Sequence, residues 1–513
     1  MMNAASRLSV LLPCALALTT AASHVAAQTL SHDKTGGANA AQASFQLQGN
    51  PNETYVIVFC FWEGTTTIPA LGVTLDIPDT FAGASYALPG FFGNTNGSGA
   101  ATASIAVPND PGLESLVVSL QAVAGQGPFR VSNLVRLTPQ VAGTWKPALN
   151  APPVPIVGGT TAVAANHELL FAGGSGPVAQ RYKSRTEQWE AAGATFGVGI
   201  LSQSTGLADG RILFTGGLDI LTGQTTNAAA VYDPIAQTTT TLTMALPRAG
   251  HGASLMGNGR VLITGGLAAL DLQNPLSMLT GLHNTTEIFD PVTNTFAAGP
   301  NMLEARAMHS STTLTNGQVL IAGGLSVLPI INLPNVSSTA YRFNPTTNSF
   351  GLPSFFSGAR FLHSAVGLSN GKVLIAGGLT LDLTVFLQTL NIADLIIGTR
   401  TDCQLFTPSF IGGFGTFATV NGMQEGRAGA AIAPLPNGGA LIAGGFRMTI
   451  NVPTSTFELT ATATTDRFAQ SPNAITPTGP MAAARLFPVT VNLPDGTVMV
   501  VGGGPAAAEI YQQ

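Results

Sequence analysis

Short runs of apolar residues between glycine-rich turns recur along most of the chain. Seven times such a run ends in a Gly-Gly pair, and an Asn or Asp lies seven residues before the first glycine of each pair. In six of the seven the next residue is glycine, which gives the sequence of a two-residue hairpin turn. Each unit therefore predicts a tight hairpin whose second strand ends at the glycine pair. The pairs are Gly173-Gly174, Gly216-Gly217, Gly265-Gly266, Gly323-Gly324, Gly377-Gly378, Gly444-Gly445 and Gly502-Gly503.

An aromatic residue follows each glycine pair and often begins an aromatic-Asp/Asn-Pro turn. In most units another large apolar residue, such as Trp189, Phe296 or Phe350, lies seven positions further on. Each unit thus predicts four short strands: two around the hairpin, one ending at the aromatic and one carrying the second apolar residue. The aromatics are Tyr182, Tyr232, Phe289, Phe343, Phe406, Phe468 and Tyr511.

These units resemble Kelch repeats, in which about 50 residues form one four-stranded propeller blade. The resemblance covers roughly residues 143–513 and implies an all-β, seven-bladed Kelch-like β-propeller, distantly like the central domain of galactose oxidase. It does not imply a particular function, because propellers host unrelated activities.

The two ends of the repeat region complement each other. The seventh unit stops after Tyr511 without a fourth strand, whereas Gly143-Thr144-Trp145 supplies a Trp-bearing strand with no partners before it. An open ring would leave unpaired strand edges. We therefore expect the strand at 143–150 to complete the last blade, with Trp145 beside Tyr511.

The region before the repeats divides into two segments. Arg7, the uncharged apolar run from Leu8 to Ala22 and the small residues up to Ala27 predict a cleaved Sec-type signal peptide over residues 1–27. The protein is then expected to be secreted, periplasmic or at the cell surface. Residues 28–142 lack the repeat and predict a small accessory β-sandwich of short strands.

Charge is scarce, at 9% of 513 residues with a net charge of −5. Nucleic acid is therefore not an expected partner, because binding it requires a cationic excess that displaces phosphate counterions. No run after the signal reaches 18 uninterrupted apolar residues, so no transmembrane segment is expected. We expect a monomer. The mature chain holds Cys60 and Cys403, one in each region, which form either a disulfide between the regions or two buried thiols.

The basic residues follow the repeat. Five units carry an arginine ten residues before the Asn or Asp of the turn, and three of these arginines are followed three residues later by histidine. The corresponding positions of the first two units hold Ile156 and Gly199. The candidate ligand-binding residues are Arg248, His251, Arg306, His309, Arg360, His363, Arg427 and Arg485.

Two interpretations of these positions are open. Each arginine could bind backbone carbonyls or an acidic neighbour between blades, with each histidine capping a strand. Alternatively, some guanidinium groups could donate in a fork to a carboxylate or sugar ligand. The long apolar insertions Leu325 to Pro334 and Leu379 to Ile397 emerge on the same face. They either pack as lengthened hairpins or form a contact surface for a partner.

We expect an exported, non-catalytic recognition or scaffold protein that binds a protein or glycan through this face. No catalytic residue, metal ligand or cofactor is predicted, because no known catalytic motif is present. The alternative is a carbohydrate-active or oxidoreductase enzyme of the Kelch and galactose oxidase superfamily, in which Glu304 or Glu425, two residues before an arginine, would act with it.

Overall fold

The computed structural model describes most of the chain apart from the N-terminal segment and some loops. The signal-peptide prediction for residues 1–27 lies outside the described residues, as do Asn166, Gly173-Gly174 and Asp495 of the repeat pattern. The described ranges are 29–33, 42–61, 64–78, 82–106, 118–132, 134–137, 143–148, 151–153, 156, 158–163, 169–172, 178–183, 188–195, 199–219, 222–269, 281–328, 333–382, 388, 396–409, 414–451, 456–493, 497–504 and 508–512.

The described residues form an all-β protein with one short helix, Ala82–Ser85. Within these ranges, no helix is long and apolar enough to cross a membrane. The chain divides into two compact units, one comprising Met1–Gly143, Pro494–Gly496 and Gln512–Gln513, and the other Thr144–Leu493 and Thr497–Tyr511.

The N-terminal unit contains two larger antiparallel sheets and a hairpin. Its core is formed by side chains such as Phe45, Ile57, Phe91 and Leu120, all at most 1% exposed. One sheet consists of Thr29–Asp33, Gln42–Gln48 and Ala100–Ala106; the second consists of Val135–Leu137, Val118–Ala124, Thr54–Cys60 and Phe92–Asn94, with Arg130–Val131 on Val118–Ala124; the hairpin is Thr66–Ile68 with Val73–Leu75.

Seven antiparallel sheets of the second unit contain the repeat strands, and we number them I to VII. In sheets I to VI the strands follow chain order, whereas sheet VII takes one strand from the start of the unit. The strands are, for I, Thr160–Val163, Leu169–Ala172, Val178–Lys183 and Gln188–Thr195; for II, Gln203–Gly206, Ile212–Thr215, Ala228–Asp233 and Thr238–Thr243; for III, Gly252–Leu255, Val261–Thr264, Thr286–Asp290 and Thr295–Ala298; for IV, Ser310–Thr313, Val319–Ala322, Thr339–Asn344, Ser349–Phe350 and Ser354–Phe355; for V, Ser364–Gly367, Val373–Ala376, Cys403–Pro408 and Gly415–Val420; for VI, Ala431–Pro434, Ala440–Ala443, Thr465–Ala469 and Ala474–Thr478; and for VII, Val489–Asn492, Val498–Val501, Glu509–Tyr511 and Trp145–Pro147.

The second strand of each sheet is the most apolar, and all its residues are buried, as in Val319–Ala322 and Val373–Ala376. Such a strand is apolar on both faces because each sheet packs between two neighbouring sheets. One core cluster, for example, joins Leu320 of sheet IV to Ile375 and Phe406 of sheet V.

The first strands of the seven sheets form a closed cycle. Each contacts the first strand of the next sheet, and the first strand of sheet VII contacts that of sheet I. Hydroxyl groups join neighbours within the cycle, as between Ser254 and Ser311, 2.7 Å apart. In sheet VII, Trp145 is paired with Tyr511, and their ring centroids lie 5.1 Å apart.

The long insertions form a second layer of β-structure on the face where the first strands begin. Their hairpins pack together through an apolar cluster that contains Leu325, Val336, Leu379 and Phe446. The described parts of the insertions are therefore lengthened hairpins that pack on each other. The added strands are Arg306–Ala307, Leu325–Leu328, Leu333–Val336, Leu379–Asp382, Ile396–Thr399, Phe446–Asn451 and Thr456–Ala461.

Candidate functional site

The five arginines of the repeat lie in the turns that lead into the first strands of sheets III to VII. All five are buried, with side-chain exposure of at most 1%. A buried cation must be paired and hydrogen-bonded, because removal from water penalises its charge. The positions and partners of these side chains therefore decide how the turns are built.

Each of these arginines links two neighbouring units of the repeat. Its backbone carbonyl accepts a hydrogen bond from the second glycine of the preceding unit, as Arg248 does from Gly217 at 2.8 Å. Its guanidinium donates to the first glycine of its own unit, as Arg248 Nη1 does to the carbonyl of Gly265 at 2.7 Å. The same pair of contacts recurs at Arg306, Arg360 and Arg485, whereas Arg427 makes the backbone contact and donates to the carbonyl of Thr464 instead.

This contact explains the glycine pair. Gly216 has a φ of +57°, and a Cβ atom at this position would lie 2.2 Å from the carbonyl oxygen of Arg248. Glycine is required both for the left-handed backbone and for the close approach. The Gly-Gly pair of one unit and the arginine carbonyl of the next unit therefore form one contact, which we call the arginine junction.

Each guanidinium also has a carboxylate partner. Arg248 is paired with Glu287 at 3.2 Å and Arg360 with Asp402 at 2.5 Å, while Asp466 pairs with Arg427 with both side chains fully buried. The remaining pairs are Arg306 with Glu304 and Arg485 with Glu509. The guanidinium groups are thus hydrogen-bonded to carbonyl and carboxylate oxygens of their own unit. The link to the preceding blade, expected of the side chain, is made by the backbone carbonyl of each arginine.

Most of these acidic partners were not singled out in the sequence. Glu287, Asp466 and Glu509 each lie two residues before the aromatic landmark of their unit, on the third strand. A lone acidic residue at this repeat position is the signal that identifies them. Glu304 was singled out, and it also accepts hydrogen bonds from the hydroxyl groups of Ser337 and Tyr341.

The three candidate histidines lie at the start of the first strands and are almost fully buried, at 1% to 8% exposure. Each Nε2 is hydrogen-bonded to a hydroxyl group of the preceding sheet: His251 to Thr215, His309 to Thr264 and His363 to Ser310. These bonds link neighbouring sheets, and each histidine lies one residue before the first strand of its sheet begins.

The buried histidines are neutral at ordinary pH. Burial, with the nearby Arg248 charge, lowers the pKa of His251 to about 3. Burial and the charge of Arg360 likewise lower the pKa of His363 to about 3, and burial lowers the pKa of His309 well below 6.5. Charging any of them would place a second cation beside a buried arginine.

A pocket of about 260 Å³ lies where the first strands of all seven sheets begin. His251, His309 and His363 line it, together with Ser202 and Gln203 from the turn into sheet II. None of the lining residues is Asp, Glu, Lys or Arg. The site thus presents neutral polar groups and apolar side chains, with the arginines behind this lining.

The rim of this pocket is a ring of left-handed residues, one from each sheet. From sheet II to sheet VI, the backbone N–H of each rim residue donates to the carbonyl of the previous one, as from Met308 to Gly250 at 2.7 Å and from Leu362 to Met308 at 3.0 Å. The ring residues, each with positive φ, are Gly158, Leu201, Gly250, Met308, Leu362, Gly429 and Phe487.

Cys60 and Cys403 are free and buried. Cys60 lies in the N-terminal unit and Cys403 in sheet V, and burial raises the pKa of Cys403 to about 12. The interpretation as two buried thiols is confirmed. A thiol with this pKa is protonated at neutral pH and is a poor nucleophile.

Comparison with known proteins identifies the fold more readily than the activity. No protein-family model and no curated protein matches the chain. Among solved structures it is similar to a fungal alcohol oxidase of the AA5 family in complex with copper, with a TM-score of 0.54 and 17% identity over 72% of this chain and 76% of the other. The likeness is one of fold and does not extend to Kelch repeats as such.

At this level of identity the likeness concerns the fold alone. Whether a metal of that kind suits this chain depends on the side chains present at the pocket.

The pocket residues do not fit copper. In the part of the chain that the structure describes, no three His, Cys, Asp or Glu side chains lie close enough to hold a metal ion. The three pocket histidines use Nε2 to bind Thr215, Thr264 and Ser310. A metal held through Nε2 would have to displace the hydroxyl groups that join the sheets.

We predict that Arg248→Ala destabilises the protein by about 3 to 5 kcal/mol, because it leaves Glu287 buried without its partner. Arg260→Ala is the matched control, since Arg260 lies in the same unit but is 53% exposed and paired at the surface with Asp290. Chemical unfolding measures both. Equal stability of the two variants would contradict a structural role for the buried arginine.

We predict that stability falls as the pH is lowered from about 6 to about 4. Only the unfolded chain, in which the pKa of His251 is near 6.5, takes up a proton in this window, because the folded value is about 3. One such histidine contributes about 1.4 kcal/mol per pH unit. His251→Gln should therefore show a shallower dependence of unfolding free energy on pH, whereas parallel curves would count against a neutral, buried His251.

Proposed function

We propose that the mature protein is an exported two-domain recognition protein. A β-sandwich at 28–142 precedes a seven-bladed Kelch-like propeller at 143–513, and the strand containing Trp145 completes the last blade. The seven antiparallel sheets and the closed cycle of first strands support this architecture. The repeat resemblance supports the same number of blades independently.

The proposed recognition site is the pocket at the start of the first strands. The observation that carries this proposal is that all seven sheets contribute to one pocket of about 260 Å³, which includes the three predicted histidines. Binding pockets combine an apolar lining with a few placed polar groups. The site would take a small molecule or the terminal group of a glycan or protein ligand.

The eight candidate residues divide into two roles under this proposal. His251, His309 and His363 line the pocket and would contact the ligand. The five arginines would hold the turns that carry the histidines and the rim, because their side chains bind their own unit and their backbone carbonyls bind the preceding one. They are positioning residues, and the binding energy comes from the lining.

A second candidate function is the oxidoreductase alternative. It is favoured by one observation, the similarity to an AA5 alcohol oxidase. The lack of a fitting ligand set among the described pocket residues is the argument against copper chemistry at this site. The two functions differ in whether bound ligand is consumed.

Pocket binding can be tested by methyl NMR with four probes: methyl β-galactoside, benzyl alcohol, benzoate and benzylamine. We expect at least one probe to shift the signals of Leu201 and Met308, which line the pocket. Gln203→Trp should abolish the shift by filling the pocket, while Thr240→Trp, on the exposed fourth strand of sheet II, should not.

The proposal is overturned if none of the four probes causes a shift at the pocket that Gln203→Trp abolishes. An oxygen-uptake measurement with benzyl alcohol and added copper(II) separates the second candidate. Uptake above the buffer rate that Gln203→Trp abolishes would identify an oxidase, whereas binding without uptake supports recognition.

A further inference from the structure

The rim of the pocket contains bulky residues in a backbone conformation that such residues avoid. Eight non-glycine residues have positive φ in the described part of the chain. Four are polar residues, namely Asn52, Gln237, Asn294 and Asn348; the four apolar ones, Leu201, Met308, Leu362 and Phe487, all line the pocket.

Left-handed backbone costs a side chain with a Cβ about 1 to 2 kcal/mol relative to glycine. The ring itself shows that glycine suits this position, because Gly158, Gly250 and Gly429 occupy it in sheets I, III and VI. Backbone hydrogen bonds link the members from Gly158 to Gly429, and all seven members share the left-handed conformation. The geometry of the ring therefore does not explain why four members carry large apolar side chains.

Packing explains three of the four in part. Met308, Leu362 and Phe487 contact the apolar cluster under the insertion layer, so they also help to hold that layer. Leu201 is not among the members of that cluster, yet it has a φ of +57° and lines the pocket. Leu201 is the rim residue whose side chain is best explained by contact with a ligand.

The polar part of the lining consists of neutral groups. Ser202 is 4% exposed and His309 is 8% exposed. Ser202 Oγ and His309 Nδ1 have no hydrogen-bond partner among the described residues, but both atoms are themselves shielded from solvent and do not face a ligand in the pocket. A charged ligand would find no opposite charge among the lining residues.

From the strained apolar rim and the uncharged lining, we infer that the pocket recognises an uncharged ligand with an apolar body. Leu201, Met308, Leu362 and Phe487 act as specificity-determining residues that contact this apolar body. This inference rests on the proposed binding function and adds the chemical class of the ligand.

The test compares three probes of similar shape and different charge. By titration followed at the methyl signals, benzyl alcohol should bind at least tenfold more tightly than benzoate or benzylamine, because the pocket offers no counter-charge. Leu201→Gly should weaken benzyl alcohol binding about fivefold to tenfold through the lost apolar contact. Its melting temperature should not fall by more than a few degrees, since glycine relieves the left-handed strain.

Two further variants keep the result interpretable. Leu201→Asn retains a residue that tolerates left-handed backbone but replaces the apolar surface, so it should weaken binding to the same extent. Asn348→Gly makes the equivalent backbone change in an exposed outer turn and should leave binding unchanged.

Each outcome decides between the claims. Equal affinity for the charged and uncharged probes, or wild-type affinity in both Leu201 variants, overturns the inference while the binding pocket stands. A large loss of stability in the Leu201 variants with unchanged affinity assigns Leu201 a structural role and overturns it as well. Failure of all probes to bind the wild-type pocket overturns the proposed function itself.

Discussion

The burial of one arginine between neighbouring sheets is the constraint on which the second unit depends. A guanidinium removed from water must satisfy its donors inside the protein, and its charge must be paired. In sheet III, Arg248 does so through the carbonyls of Gly265 and Thr285 and the carboxylate of Glu287. Its own backbone carbonyl is then placed to receive the N–H of Gly217 from the preceding unit. One side chain thereby fixes the turn, the glycine pair and the contact between units.

The chemistry of the pocket follows from this arrangement. Because the charges of the arginines are paired with buried or half-buried carboxylates of their own units, the side chains that line the pocket are neutral. The histidines are also kept neutral, since burial and a neighbouring arginine lower the pKa of His251 and His363 to about 3. The protein has few charged residues, and several of them form the buried ion pairs that hold the turns. The lining of the candidate site therefore consists of hydroxyl, imidazole and apolar groups.

The repeat, the hairpins and the strand with Trp145 could be predicted because glycine pairs, Asn-Gly turns and aromatics have few structural alternatives. The arginine and histidine positions were also visible as a repeat, but their partners were not. Arg248 meets Glu287 across 39 residues, so the pairing depends on the tertiary structure. The rim was hidden for a different reason, because Leu and Met rarely adopt positive φ and nothing local in the sequence marks Leu201 or Met308 as left-handed.

Native-state hydrogen exchange at the glycine amides that donate to the arginine carbonyls tests the central claim most directly. The amides are those of Gly217, Gly266, Gly324, Gly378 and Gly445. If the arginine junctions hold the sheets together, these protons should exchange only through global unfolding, with a free energy of exchange equal to that of unfolding. Exchange at a much lower free energy, while the second strands stay protected, would show that the junctions open independently and would contradict the account.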